Sequence, residues 1–265
     1  MVKVCIQKSE QPDVRRALDQ IDFVPDECEL VVIKADLCST SSFTGEATDL
    51  GLIEQVLKIY EGIAKCAVVG VDNSGRKAAD CFERTGVSEL AERYYADTVD
   101  LGKDVKIPIA DEESVLKNFK MPRTILKADV FINMPKMKTD ENTTVSLGLM
   151  NIFDIIPGKR EIYRPKIAES ICDFLSIRNP DLNIMDAVIA IEGSEGRRRK
   201  KQMDLILASR DIVAMDTIAC RIMGINPVNV EHVFRAGYSG LGEYTEKNIK
   251  IVGRPIDAVR DKFEY

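Results

Sequence analysis

Glu29-Leu30-Val31-Val32-Ile33-Lys34-Ala35 runs directly into Asp36-Leu37-Cys38 and then into a Ser/Thr-rich stretch, residues 39–45. A continuous aliphatic, β-branched run bounded by polar residues fits a strand covered on both faces. Similar runs occur at 2–6, 66–71 (Cys-Ala-Val-Val-Gly-Val), 129–133, 182–191, 203–208 and 248–252. Between them lie amphipathic stretches at 13–20, 50–61, 76–95, 112–119, 143–155, 161–177, 211–223 and 228–237. Alternation of this kind predicts an α/β fold: a largely parallel sheet flanked by helices, with a Rossmann-like N-terminal lobe. The connection Ile191-Glu-Gly-Ser-Glu-Gly-Arg-Arg-Arg-Lys-Lys201 reads as a hairpin loop, which adds an antiparallel hairpin in the C-terminal half. There is no internal repeat.

No low-complexity linker divides the 265 residues, so the chain reads as one domain, 1–265. The least regular region, about 97–125, suggests lobes 1–112 and 113–265. With 45% hydrophobic and 30% charged residues, the chain can bury a substantial core. Its net charge of −6 disfavours binding to nucleic acid through the whole surface. No apolar run approaches the roughly 20 residues that cross a bilayer, and residues 1–8 are too short and polar for a signal peptide. A cytoplasmic protein without membrane association is the expectation. The seven cysteines are scattered singly, with no C-x-x-C pair, which points to reduced thiols and away from the common zinc and cluster spacings. The single histidine, His232, sits on a helical stretch, where a surface or helix-packing role explains it better than catalysis.

Ligands of open α/β sheets bind beyond the carboxyl ends of the parallel strands. Those ends carry Lys34 and Asp36, then Asp72 and Asn73, then Asn133-Met134-Pro135-Lys136-Met137-Lys138-Thr139-Asp140, and finally Glu192. Lys34, Lys136 and Lys138 suit a carboxylate or phosphate, while Asp36, Asp72 and Glu192 suit a cation or a hydroxyl proton. In extended chain the i, i+2 spacing of Lys136 and Lys138 turns both to one side. Solvated strand-end lysines are the plain alternative. Ser209-Arg210-Asp211 caps a following helix, within which Asp216 is either a partner for a crevice lysine or a helix-surface carboxylate. The run Arg197–Lys201 reads either as a grip for a negatively charged partner or as a solvated hairpin tip. Gly237-Tyr238-Ser239-Gly240-Leu241-Gly242 follows a helix rather than a strand and reads as a capping turn. The candidate catalytic residues are therefore Lys136, Lys138 and Asp216. The candidate ligand-binding residues are Lys34, Asp36, Asp72, Asn73, Thr139, Asn151, Glu192 and Arg210.

The same residues carry a family resemblance. Lys34-Ala35-Asp36-Leu37-Cys38, the segment from Ala128 to Thr139, Leu149-Met150-Asn151-Ile152-Phe153, the segment 181–187, the segment 207–216 and Gly240-Leu241-Gly242 follow in order. The series resembles the domain-of-unknown-function 362 family. That resemblance implies cytoplasmic proteins, common in anaerobes, that often carry or neighbour ferredoxin-type iron–sulfur segments; it implies no secure reaction, and the sequence identifies neither cofactor nor metal. Asp140 stands where the pattern has histidine, Met150 stands where it has lysine, and the basic run replaces a glycine-rich loop. The leading expectation is a small-molecule enzyme, or a divergent relative of one, that binds an anionic metabolite in the strand-end crevice. The alternative is a non-catalytic accessory protein that meets a ferredoxin-type or cofactor-assembly partner through its basic loop.

Overall fold

The computed structural model describes residues 1–37, 45–72, 77–109, 114–116, 120–156, 162–194 and 197–265. Asn73, Cys38 and most of the Ser/Thr-rich stretch lie outside the described residues. The strands are β1 (Val2–Lys8), β2 (Leu30–Ala35), β3 (Lys65–Gly70), β4 (Asp97–Asp100), β5 (Lys106–Pro108) and β6 (Lys120–Pro122), followed by β7 (Val130–Met134), β8 (Lys136–Asp140), β9 (Thr144–Ser146), β10 (Leu182–Glu192), β11 (Arg199–Ser209) and β12 (Ile249–Gly253). The helices are α1 (Val14–Gln20), α2 (Leu50–Tyr60), α3 (Ala78–Thr85), α4 (Val87–Arg93) and α5 (Arg123–Lys127), then α6 (Gly148–Phe153), α7 (Ile167–Ile177), α8 (Ile212–Ile222) and α9 (Glu231–Tyr238).

Ten strands form one sheet in the order β12-β1-β11-β10-β7-β2-β3-β4, with β8 alongside β10 and β9 alongside β8. The pairs β2·β3, β3·β4, β2·β7 and β7·β10 are parallel, and β10·β11 is the expected antiparallel hairpin. β1 lies between β11, to which it is antiparallel, and β12, to which it is parallel. The architecture is α/β, as the apolar runs predict.

Period-2 alternation sorts the strand residues between two cores. Val31 and Ile33 of β2 join Leu52, Ile53 and Val56 of α2 on one face. Val32 and Phe131 join Ile152 of α6, Phe174 of α7 and Ile218 of α8 on the other. Lys34 continues the phase of Val32, and Asn133 that of Phe131, so both side chains turn toward the α6 side. A polar residue at the end of a strand thus inherits a fixed direction from the apolar residues before it.

Several local expectations need correction. The stretch 76–95 is two helices broken at Gly86, whose φ of 80° fits it for a helix stop. The stretch 143–155 begins as strand β9 before α6 starts at Gly148. Arg199, Lys200 and Lys201 belong to β11, so the connection from β10 is shorter than the basic run implied. Most of 112–119 lies outside the described residues. Five cysteines are free thiols, but Cys81 is disulfide-bonded, against the expectation of reduced thiols throughout.

The glycine-bearing turn after α9 is a cap, as read from the sequence. Leu241 N–H reaches back to the Ala236 carbonyl (3.1 Å) and Gly240 N–H to Gly237 (3.0 Å), with Gly240 at φ 73°. A side chain at Gly240 would meet open space, so only its backbone conformation opposes substitution. Gly240→Ala is therefore expected to cost about 1–2 kcal/mol in urea denaturation. An unchanged midpoint would show that the left-handed backbone at Gly240 costs an alanine nothing there.

Candidate functional site

From β2 the chain moves outward through β3 to β4, then returns with β7 on the other side of β2. Connections leaving β2 and β7 therefore diverge, and this is where open α/β sheets form their crevice. β2 ends on Lys34-Ala35, with Asp36 next, and β7 ends on Asn133-Met134 and leads through Pro135 into β8.

Three lysines stand at or just beyond these strand ends, each already in contact with a partner. Lys136 and Asp186 form an ion pair at 2.7 Å, with side chains 3% and 0% exposed. Asp186 also accepts the Asp49 N–H (2.7 Å) just before α2 and the Val188 N–H (3.0 Å). Lys138 and Asp36 pair at 2.5 Å and are more accessible, at 13% and 10%. Lys34 Nζ donates to Asn151 Oδ1 (2.7 Å) and to the Ala35 carbonyl (3.0 Å). Asn151 then donates to Asn133 Oδ1 (2.7 Å), and Asn133 to Asn183 Oδ1 (3.1 Å) and the Gly148 carbonyl (3.2 Å). This chain of amides fixes α6 over the strand ends. A cavity of only about 10 Å³ remains beside Lys34, Asp36, Gly70 and Asp154, room for about one water.

Asp216 does something other than either sequence reading supposed. It is fully buried, yet it pairs with no lysine among the described residues. Its two oxygens accept the backbone N–H groups of Gly148 and Leu149, both at 2.9 Å, at the start of α6. Those N–H groups lack partners inside the helix and carry its positive end, so a carboxylate is a fitting cap. Gly148 allows the approach: a Cβ there would lie 2.8 Å from Asp216 Oδ1. Burial pushes the Asp216 carboxyl up to about 7, against the pull of the two N–H bonds.

The structure therefore places these candidates in two sets: Lys34 and Asn151 in an amide network on the α6 side, and Asp36, Lys136 and Lys138 in two separate ion pairs, with Asp216 supporting α6 from behind. The other candidates are elsewhere. Exposed Asp72 accepts the Ala78 N–H at the start of α3 (2.8 Å). Thr139 points at the carbonyls of Gly193 and Glu264. Glu192 pairs with Arg199 (3.4 Å) and Lys201 (3.2 Å), and Arg210 lies over the Phe23 ring at 5.9 Å. Asp140 organises the next turn through Asn142 N–H, Thr143 N–H and the Thr143 hydroxyl, all at 2.9 Å. Sequence reasoning missed Asp186, Asn133 and Asn183 as network members. The available signal was a carboxylate and two amides interrupting otherwise apolar strands. Among the described residues no group of three or more His, Cys, Asp and Glu side chains is arranged to hold a metal ion.

The fold and site together define a doubly covered α/β protein with a polar, lysine-rich switch point. The family model described as domain of unknown function (DUF362) matches residues 31–221, and the chain belongs to that family. A protein of Synechocystis sp. strain PCC 6803 named as thylakoid-associated is 25% identical over 164 residues, covering 58% of this chain. The chain spans about half (51%) of that relative's length. No solved structure matches. No helix among the described residues is long and apolar enough to cross a membrane.

Two outcomes test the network. Lys136→Ala strands a buried Asp186 carboxylate and is expected to cost about 3–5 kcal/mol in urea denaturation, whereas joint Lys136→Met and Asp186→Leu should recover much of that loss. Equal losses from the single and double changes would show that the cost is one of packing rather than an unpaired charge. For Asp216, a folded value near 7 against the ordinary 3.8 means that the folded chain holds the extra proton. Its contribution is complete below pH 3.8 and is lost as pH rises through about 7. The stability gap between wild type and Asp216→Asn should therefore narrow from pH 5 to pH 8. A constant gap would place the carboxyl at an ordinary value.

Proposed function

We propose that this protein is a small-molecule enzyme, or a relative diverged from one, that binds an anionic metabolite at the switch point between β2 and β7. The observation that carries the reading is the Lys138–Asp36 pair, which bridges the two diverging strand ends at 2.5 Å and is the most accessible of the lysine contacts there. Charges held this far from water are costly unless they are paired, and such clusters in crevices are where acid–base groups are found. An entering carboxylate or phosphate would take the Lys138 ammonium from Asp36. The released Asp36 carboxylate would then stand beside the bound ligand as an acid–base group. Lys136, locked to Asp186, serves as support rather than as the ligand's contact.

The accessory-protein reading draws less support. Arg198 pairs with Glu46 (2.7 Å), Arg199 with Glu192 and Glu264, and Lys201 with Glu192 and Asp261 (both 3.2 Å). Much of the basic run is thus neutralised within the chain.

Native mass spectrometry of protein purified without chelators, followed by competition with inorganic phosphate and succinate, tests the proposal. A stoichiometric anion is expected in wild type, weakened roughly tenfold or more in Lys138→Gln through loss of a charged hydrogen bond. Folded wild-type protein that holds no anion and binds neither probe would overturn it.

A further inference from the structure

A second cavity, of about 390 Å³, opens between the β8–β9 turn, the start of α7 and α9. Thr143, Arg164, Glu169, Asn229, Glu231 and His232 are among the residues that line it. It shares no lining residue with the switch-point crevice.

Three observations mark it as a site. First, His232 is 2% exposed, and its Nε2 has no hydrogen-bond partner among the described residues. Buried ring nitrogens are normally satisfied, so an unpartnered one on a residue of the cavity wall points to a partner from outside the chain. Second, the charges are divided. Glu169 and Glu231 both lean on one guanidinium, that of Arg235 (3.4 and 3.5 Å), so two carboxylates share one positive charge. Arg164 lines the same cavity, is exposed, and makes no ion pair among the described residues. Third, Thr144, also on the wall, holds φ at 68°, an unfavourable conformation for a β-branched residue.

We propose that this cavity binds a small aminocarboxylate of the α-amino-acid type. Its carboxylate meets Arg164, its ammonium meets the Glu169–Glu231 wall, and His232 Nε2 supplies the remaining hydrogen bond. A purely anionic ligand would face the two carboxylates, and a purely cationic one would face Arg164; a molecule carrying both charges satisfies both sides. Burial pushes the imidazole down to about 4, so it is neutral near pH 7 and adds no third charge. The proposal is independent of the switch-point reading.

The chain's single histidine makes the test direct, because the imidazole ¹⁵N signals need no further assignment. The full-length ¹⁵N-labelled chain is titrated with pools of the standard L-α-amino acids, and separately with succinate and methylamine. At least one amino acid should shift the His232 resonances saturably, and each single-charge probe should bind roughly tenfold or more weakly. Arg164→Ala, a change at an exposed position, should weaken the amino acid by a similar factor, while Lys138→Gln should leave it unchanged. The assignment fails if no pool moves the signals in folded protein, which would mean water alone fills the site. It also fails if Arg164→Ala binds as wild type does, or if succinate or methylamine binds equally well.

Discussion

The buried Lys136–Asp186 pair is the contact on which the switch point depends. It joins β8 to β10 where the two run parallel, and its carboxylate also accepts the Asp49 N–H just before α2. One side chain therefore fixes a strand from the second half of the chain and the start of a helix from the first. Such a pair is costly to assemble in a low-dielectric interior. It is sustained because Asp186 has three donors arranged around its two oxygens.

α6 performs the matching task on the opposite face. It is only six residues long and could not persist by itself. Asp216 satisfies its first two N–H groups, and Asn151, one turn on, ties it to Lys34 and Asn133. The positioning of Lys34 therefore rests on a carboxylate that never touches it. This explains how a residue within an otherwise apolar helix, α8, belongs to the site's support without being part of its surface.

The sheet was legible because long Val/Ile runs such as 29–35 and 182–191 tolerate few alternatives to a buried strand. The strand ends located Lys34, Asp36, Lys136 and Lys138 for the same reason. β8 was harder to read: Lys-Met-Lys-Thr-Asp has the polarity of a loop, and it becomes a strand through pairing with β9 and β10. Asp216 was misread because its partners lie about seventy residues away, beyond any local pattern. The basic run looked like a free tip for the same reason, since Glu46 and Glu264 are distant in sequence and adjacent only after folding.

The placement of β1 has a consequence for the order of assembly. The first strand is flanked by residues 199–209 on one side and 249–253 on the other. At about 5–20 residues per second, a nascent chain exposes this apolar segment for on the order of 10–50 s before its neighbours are synthesised. β2, β3 and β4 can meanwhile pair among themselves. This strand, made before the others of its sheet, is thus among the last to be sheltered, and its vulnerability on the ribosome follows from topology rather than from the strength of any contact it finally makes.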